Sequence, residues 1–141
     1  MGWVEDEFLD HEAYERLTPR LWDAVRDACG AALLEFNARM GSTPIFELRD
    51  CTARGAFCLR IQKMAEKPSI EVFLDIKERS VNIALRGGKT PLHVCGYRLS
   101  VTRELLEFVD KEGALTADQV CRKALREFMF TPFPMVPKSR L

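Results

Sequence analysis

The sequence predicts an α+β fold, in which a long N-terminal helix packs on a five-stranded antiparallel meander and two C-terminal helices follow. Between Phe57 and Leu85, apolar and polar residues alternate in three consecutive short segments. Period two is typical of strands, because successive side chains leave a strand on opposite faces. The links between these segments are short and polar, and such links join antiparallel neighbours. Apolar residues at helical spacing before and after the segments predict the helices.

The three central strands are predicted to carry one apolar and one largely polar face. The polar face comprises Arg60, Gln62, Glu71, Phe73, Asp75, Asn82 and Arg86. An antiparallel sheet commonly has one solvated face. Its apolar face must be buried against other elements, so we expect the helices to cover it.

Thr18 and Pro19 predict the start of the long helix, because threonine can cap a helix and proline suits the first helical position. The apolar stripe that follows consists of Leu21, Trp22, Val25, Cys29, Ala32, Leu33, Phe36 and Met40. Gly41 is the predicted end of this helix. Residues 10–17 are predicted to form a separate short helix, and we expect Trp3 to pack on the body of the protein.

Two further strands complete the predicted sheet. Residues 44–50 form the first and residues 92–101 the fifth. In the fifth strand the apolar residues change phase near Gly96, where a β-bulge would reconcile the two phases. The letters GKT occur at 88–90, but a phosphate-binding loop needs a glycine five residues before the GK glycine, and Ile83 stands there. A hairpin turn is therefore predicted.

Two helices are predicted after the sheet. Thr102 can cap the first, which carries Leu105, Leu106 and Val109 and ends at Gly113. A capping box at 116–119 predicts the start of the second. From about residue 131, three prolines forbid regular structure, so a flexible C-terminal tail is expected. Because residues 130–136 are apolar, docking of this tail on the body of the protein is the alternative.

Composition favours a soluble single domain spanning residues 1–141. Lys plus Arg and Asp plus Glu both number 21, so the formal net charge is zero. A neutral chain has no global attraction for nucleic acid or an anionic membrane, and no apolar run reaches membrane-spanning length. The five cysteines include no CxxC pair and there are two histidines. This disfavours a disulfide framework and a zinc site and favours reduced thiols in the cytoplasm. No cofactor motif is visible.

The sharpest chemical candidate is the pair His93 and Cys95. Two residues apart on a strand, they are expected to point the same way, and a Cys–His pair can produce a thiolate nucleophile. Together with Tyr97 and Arg98 they are a candidate ligand-binding set between helix and sheet. A buried, inert thiol beside a hydrogen-bonded histidine is the favoured alternative.

The second candidate is an interface. Arg60, Phe73 and Arg86 on the polar face, and Trp22 on the long helix, are the residues predicted to meet a partner. Cross-strand pairing of the arginines with Glu71 and Asp75 explains the charge pattern without any ligand. Core packing is likewise the simpler interpretation of Trp22.

The sequence thus favours a non-catalytic interaction module that self-associates or binds a protein partner. The alternative is a small-ligand-binding domain or minor enzyme with a pocket near His93, Cys95 and Tyr97. Binding of nucleic acid through Arg60, Arg86, Lys89 and Arg98 is the weakest hypothesis. No catalytic residues are assigned, because neither GxSxG nor HExxH occurs.

Overall fold

A computed structural model describes residues 2–41, 45–52, 57–63, 69–86, 92–102 and 105–130. The elements are α1 (Trp3–Met40), β1 (Phe46–Asp50), β2 (Phe57–Lys63), β3 (Ser69–Asp75), β4 (Ser80–Arg86), β5 (Leu92–Thr102), β6 (Leu105–Asp110), β7 (Gly113–Leu115) and α2 (Ala117–Phe130). The strands form one antiparallel sheet in sequence order. The predicted α+β class, with a long N-terminal helix on an antiparallel meander, is confirmed. The sheet has seven strands instead of five, and one described helix follows it instead of two.

Helix α1 runs unbroken through the boundary that the sequence predicts. Pro19 lies inside the helix, where it cannot donate a hydrogen bond to the preceding turn. The hydroxyl of buried Thr18 donates to the carbonyl of Tyr14 (2.5 Å) instead of capping a new helix. The prediction of two helices is wrong, because a buried stripe that continues from Tyr14 to Leu33 holds both halves on the sheet.

The segment predicted as the first C-terminal helix forms the strand β6. Leu106 and Phe108 are buried, whereas Leu105 is 55% exposed. Burial therefore alternates with period two. The helical prediction is wrong because Leu105, Leu106 and Val109 also fit a helical period, and pairing with β5 decides in favour of the strand.

The apolar face of the sheet and both helices share one hydrophobic core. The register aligns Leu59, Val72 and Ile83 across three neighbouring strands, and all three are fully buried. The predicted apolar face of these strands is thus confirmed. On the helix side, Trp22 packs on Phe57 with ring centroids 5.7 Å apart.

The bulge in β5 lies earlier than Gly96. Cys95 pairs with Ile83 and His93 pairs with Ala84, which leaves one extra residue between them on β5. Ile83 and Ala84 are consecutive, so positions 93 and 95 belong to opposite faces of the sheet. The prediction that they share a face is wrong. The change of phase among the apolar residues shows that a bulge lies somewhere in the strand, but it does not identify the bulged residue.

Some predictions fall outside the described residues: the hairpin turn around GKT, Lys89, and the tail from residue 131. Neither α1 nor α2 is long and apolar enough to cross a membrane.

Candidate interaction surfaces and a candidate cleft

The centre of the polar sheet face holds a triad formed by Arg60, Glu71 and Arg86. Arg60 donates from Nη2 and Nε to Glu71 Oε2 at 2.8 and 3.1 Å, and Arg86 donates from Nε to Oε1 at 2.5 Å. The Glu71 side chain is only 7% exposed, although it lies on the face opposite the helices. The predicted cross-strand charge pairing is confirmed for Glu71, both of whose carboxylate oxygens are used, whereas Asp75 accepts a hydrogen bond from the backbone N–H of Glu78.

Two arginines share one carboxylate in the triad, so it keeps a net positive charge although all three side chains are hydrogen-bonded. The hydrogen bond from Arg60 to Glu71 raises the pKa of the Arg60 guanidinium above its ordinary value. Phe73, on the same face, is half-buried between Cys58 and Asn82. The interface role of Arg60, Phe73 and Arg86 stays a prediction. In the structure the two arginines are hydrogen-bonded to Glu71, and Phe73 is half-buried.

Trp22 is a core residue in this structure. It is 2% exposed, so it has no surface to offer a partner, and core packing describes it correctly. Its indole Nε1 is buried without a hydrogen-bond partner in the described part of the chain.

Cys95 and Tyr97 line a cleft between the last strands and α2. The Cys95 thiol donates to the Tyr97 hydroxyl at 3.6 Å. Burial, together with this hydrogen bond, raises the pKa of the Tyr97 phenol well above its ordinary value. The cleft has a volume of about 570 Å³, and its charged and polar walls are Asp110, Glu112, Gln119, Arg122, Lys123, Arg126 and Glu127.

The structure brings together only part of the predicted ligand set. Arg98 lies in a neighbouring cleft of about 810 Å³, lined also by Ser100 and Lys111. His93 occupies a register position on the other face from Cys95. Within the described ranges, no group of three or more His, Cys, Asp or Glu residues is placed to hold a metal ion.

Sequence reasoning missed the first seven residues of α1, residues 3–9, which lie beyond the last contacts of this helix with the sheet. The last anchors are at the β3–β4 turn, where Tyr14 Oη donates to the carbonyl of Ile76 at 2.8 Å and Arg79 pairs with Asp10 at 2.8 Å. Every residue from 3 to 9 is exposed. We call residues 3–12 the projecting segment.

The projecting segment exposes large apolar side chains. Trp3 is 76% and Phe8 72% exposed, and Val4 and Leu9 are about half exposed. The expectation that Trp3 packs on the body is wrong. At 1.5 Å per residue, the 38 residues of α1 span about 57 Å, which is longer than the helix that the sequence predicts. The predicted boundary at Thr18 concealed this length.

A second exposed apolar surface lies between the C-terminal part of α1 and α2. We call it the helix groove. Its apolar lining is Ala32, Phe36, Met40, Cys121, Leu125, Met129 and Phe130, and its volume is about 380 Å³. Phe36 and Phe130 meet edge to face at 5.2 Å, and Phe130 is 70% exposed.

Comparison with known proteins gives no family. The chain matches no protein-family model, no curated protein and no solved structure. The function is therefore inferred from these surfaces alone.

Proposed function

We propose that this protein is a non-catalytic interaction module that self-associates through the projecting segment. The observation that carries the proposal is the exposure of Trp3, Val4, Phe8 and Leu9 on a helix that extends past the sheet. Docking of an apolar helix face in a hydrophobic groove of another chain is a recurring mode of recognition. Each aromatic side chain can bury about 150–250 Å². In a symmetric dimer both copies contribute their aromatic side chains, so this buried area is doubled.

Sedimentation equilibrium of the full chain tests this proposal. We expect a reversible dimer for the wild type and a tenfold or greater loss of affinity, about 1.4 kcal/mol or more, for Trp3→Ala/Phe8→Ala. The matched control is Leu105→Ala, which removes an exposed leucine from the edge region of the sheet. A wild type that stays monomeric, or a dimer that the double variant leaves intact, would contradict the proposal.

The cleft at Cys95 and Tyr97 favours a second candidate, a small-ligand-binding domain. Its volume of about 570 Å³ lies within the range of small-molecule sites. Native mass spectrometry of freshly purified protein should then show a retained small molecule, which is lost in Tyr97→Phe and kept in the control Tyr14→Phe. If neither the wild type nor Tyr14→Phe carries added mass, the ligand-binding candidate is ruled out.

A further inference from the structure

The rim of the helix groove carries basic side chains. Arg39, Arg122 and Arg126 lie there beside two acidic residues, Glu35 and Asp118. Arg39 is paired with Glu35 at 3.2 Å. Within the described ranges, neither Arg122 nor Arg126 forms an ion pair. The groove therefore combines an apolar floor with two guanidinium groups that can donate hydrogen bonds to carboxylates of a partner.

The projecting segment has the complementary character. It contains five carboxylates, Glu5, Asp6, Glu7, Asp10 and Glu12, and no lysine or arginine. Asp10 pairs with Arg79 at the sheet, and Glu7 lies 3.8 Å from the imidazole of His11 within the segment. Val4 and Phe8 are four residues apart and project from one side of the helix. Helical geometry places Glu5 and Glu7 on the two flanks of this apolar pair.

The two surfaces cannot meet within one chain. Phe8 and Phe36 lie on the same unbroken helix, and 28 residues at 1.5 Å each separate them by about 42 Å. The middle of α1 is fixed in the core by Trp22 and Val25. The segment can therefore reach a helix groove only on another molecule.

The dimensions of the two surfaces agree. A segment of ten helical residues is about 15 Å long, and the α2 wall of the groove, from Asp118 to Phe130, is about 18 Å long. Two copies related by a two-fold axis, with their α1 helices antiparallel, would form the contact twice. Such isologous pairing is the commonest arrangement of homodimers.

We propose that the projecting segment of one copy docks in the helix groove of a second copy, and that the second copy reciprocates. This inference rests on the proposed self-association and names the acceptor surface. Val4 and Phe8 would fill the apolar floor, while Glu5 and Glu7 would face Arg122 and Arg126.

Charge reversal on both surfaces tests the proposal. We expect Arg122→Glu/Arg126→Glu and Glu5→Arg/Glu7→Arg each to weaken the dimer at least about tenfold in sedimentation equilibrium. The chain that carries all four changes restores opposite charges and should return to within about threefold of the wild type. Arg49→Glu, an exposed change on the sheet face opposite the helices, is the control and should leave the dimer intact. Recovery in the fourfold variant also shows that the reversed chains still fold.

The remaining outcomes separate this inference from the proposed function. If the dimer needs Trp3 and Phe8 but tolerates reversal of the arginines, the groove assignment is wrong and self-association stands. If the wild type is monomeric at every concentration, both are wrong. Hydrogen exchange supplies a second measurement: groove amides whose protection depends on residues 131–141, and not on protein concentration, would show that the tail fills the groove and would overturn the inference.

Discussion

At the scale of single residues, Glu71 is a buried carboxylate outside the hydrophobic core. It is buried on the face that the sequence predicts to be solvated, and two arginines cover it. A buried carboxylate is tolerated only when hydrogen bonds replace its hydration. The arginine side chains are 42% and 48% exposed, so solvent screening reduces the strength of the pairing.

Glu71→Gln should lower the free energy of unfolding by about 2 kcal/mol, because hydrogen bonds to charged groups contribute more than neutral ones. Urea denaturation measures the change. Glu47→Gln is the matched control: Glu47 pairs with Arg49 at 3.2 Å, and both side chains are exposed. It should cost less than about 0.5 kcal/mol. Equal effects of the two substitutions would show that burial of Glu71 contributes nothing.

Both tyrosines should ionise at higher pH in the folded chain than in the unfolded chain. Burial raises the pKa of Tyr14, and burial with the Cys95 hydrogen bond raises that of Tyr97. Spectrophotometric titration near pH 10 should therefore detect less tyrosinate in the folded chain than in a urea-unfolded chain, which is about half ionised. The unfolded state loses its phenolic protons first, so the free energy of unfolding should fall as the pH rises above about 10. Ordinary titration of either folded tyrosine would contradict this.

At the scale of secondary-structure elements, two glycines have opposite roles. Gly30 lies in the middle of α1, and a Cβ there would meet Leu48 Cδ2 at 3.8 Å, an ordinary contact. Gly113 begins β7 with φ = 125°, a conformation that residues with a Cβ rarely adopt. The first glycine is replaceable and the second is required by the turn between β6 and β7.

Gly30→Ala should raise the free energy of unfolding by up to about 1 kcal/mol, because alanine favours the helix. Gly113→Ala should lower it by about 1–2 kcal/mol, because the backbone at this position is strained for alanine. Thermal and urea unfolding of the two variants measure both changes. Since the substitution is the same, a shift of the same sign in both would contradict the assigned backbone conformations.

At the scale of the whole molecule, stability and association are assigned to different parts of α1. Residues 3–9 are exposed throughout, whereas Tyr14 is buried and its hydroxyl bonds to Ile76. Removal of residues 1–9 should change the free energy of unfolding of the dilute monomer by less than about 0.5 kcal/mol and abolish the dimer. Tyr14→Phe should cost about 1 kcal/mol. A large loss of monomer stability on truncation would show that the segment packs on its own chain.

Alternation and helical spacing determined the fold class, the three central strands, their apolar face and the charge pairing around Glu71, because each depends on neighbours in sequence or directly across a short hairpin. The candidate ligand-binding set was predicted less well. Of its residues, Cys95 and Tyr97 share a cleft, but the position of the bulge separates them from His93. A bulge depends on pairing with β4, which the period of one strand does not contain.

Tertiary structure alone decided the remaining features. The ambiguous run at Leu105–Val109 became a strand because β5 offered an unpaired edge, and Pro19 stayed inside α1 because burial outweighs one lost hydrogen bond. The same continuous helix carries Trp3 and Phe8 beyond the sheet. Local pattern fixes which face of an element is apolar, but which apolar residues are covered depends on where the partner elements end, and that is a property of the assembled chain.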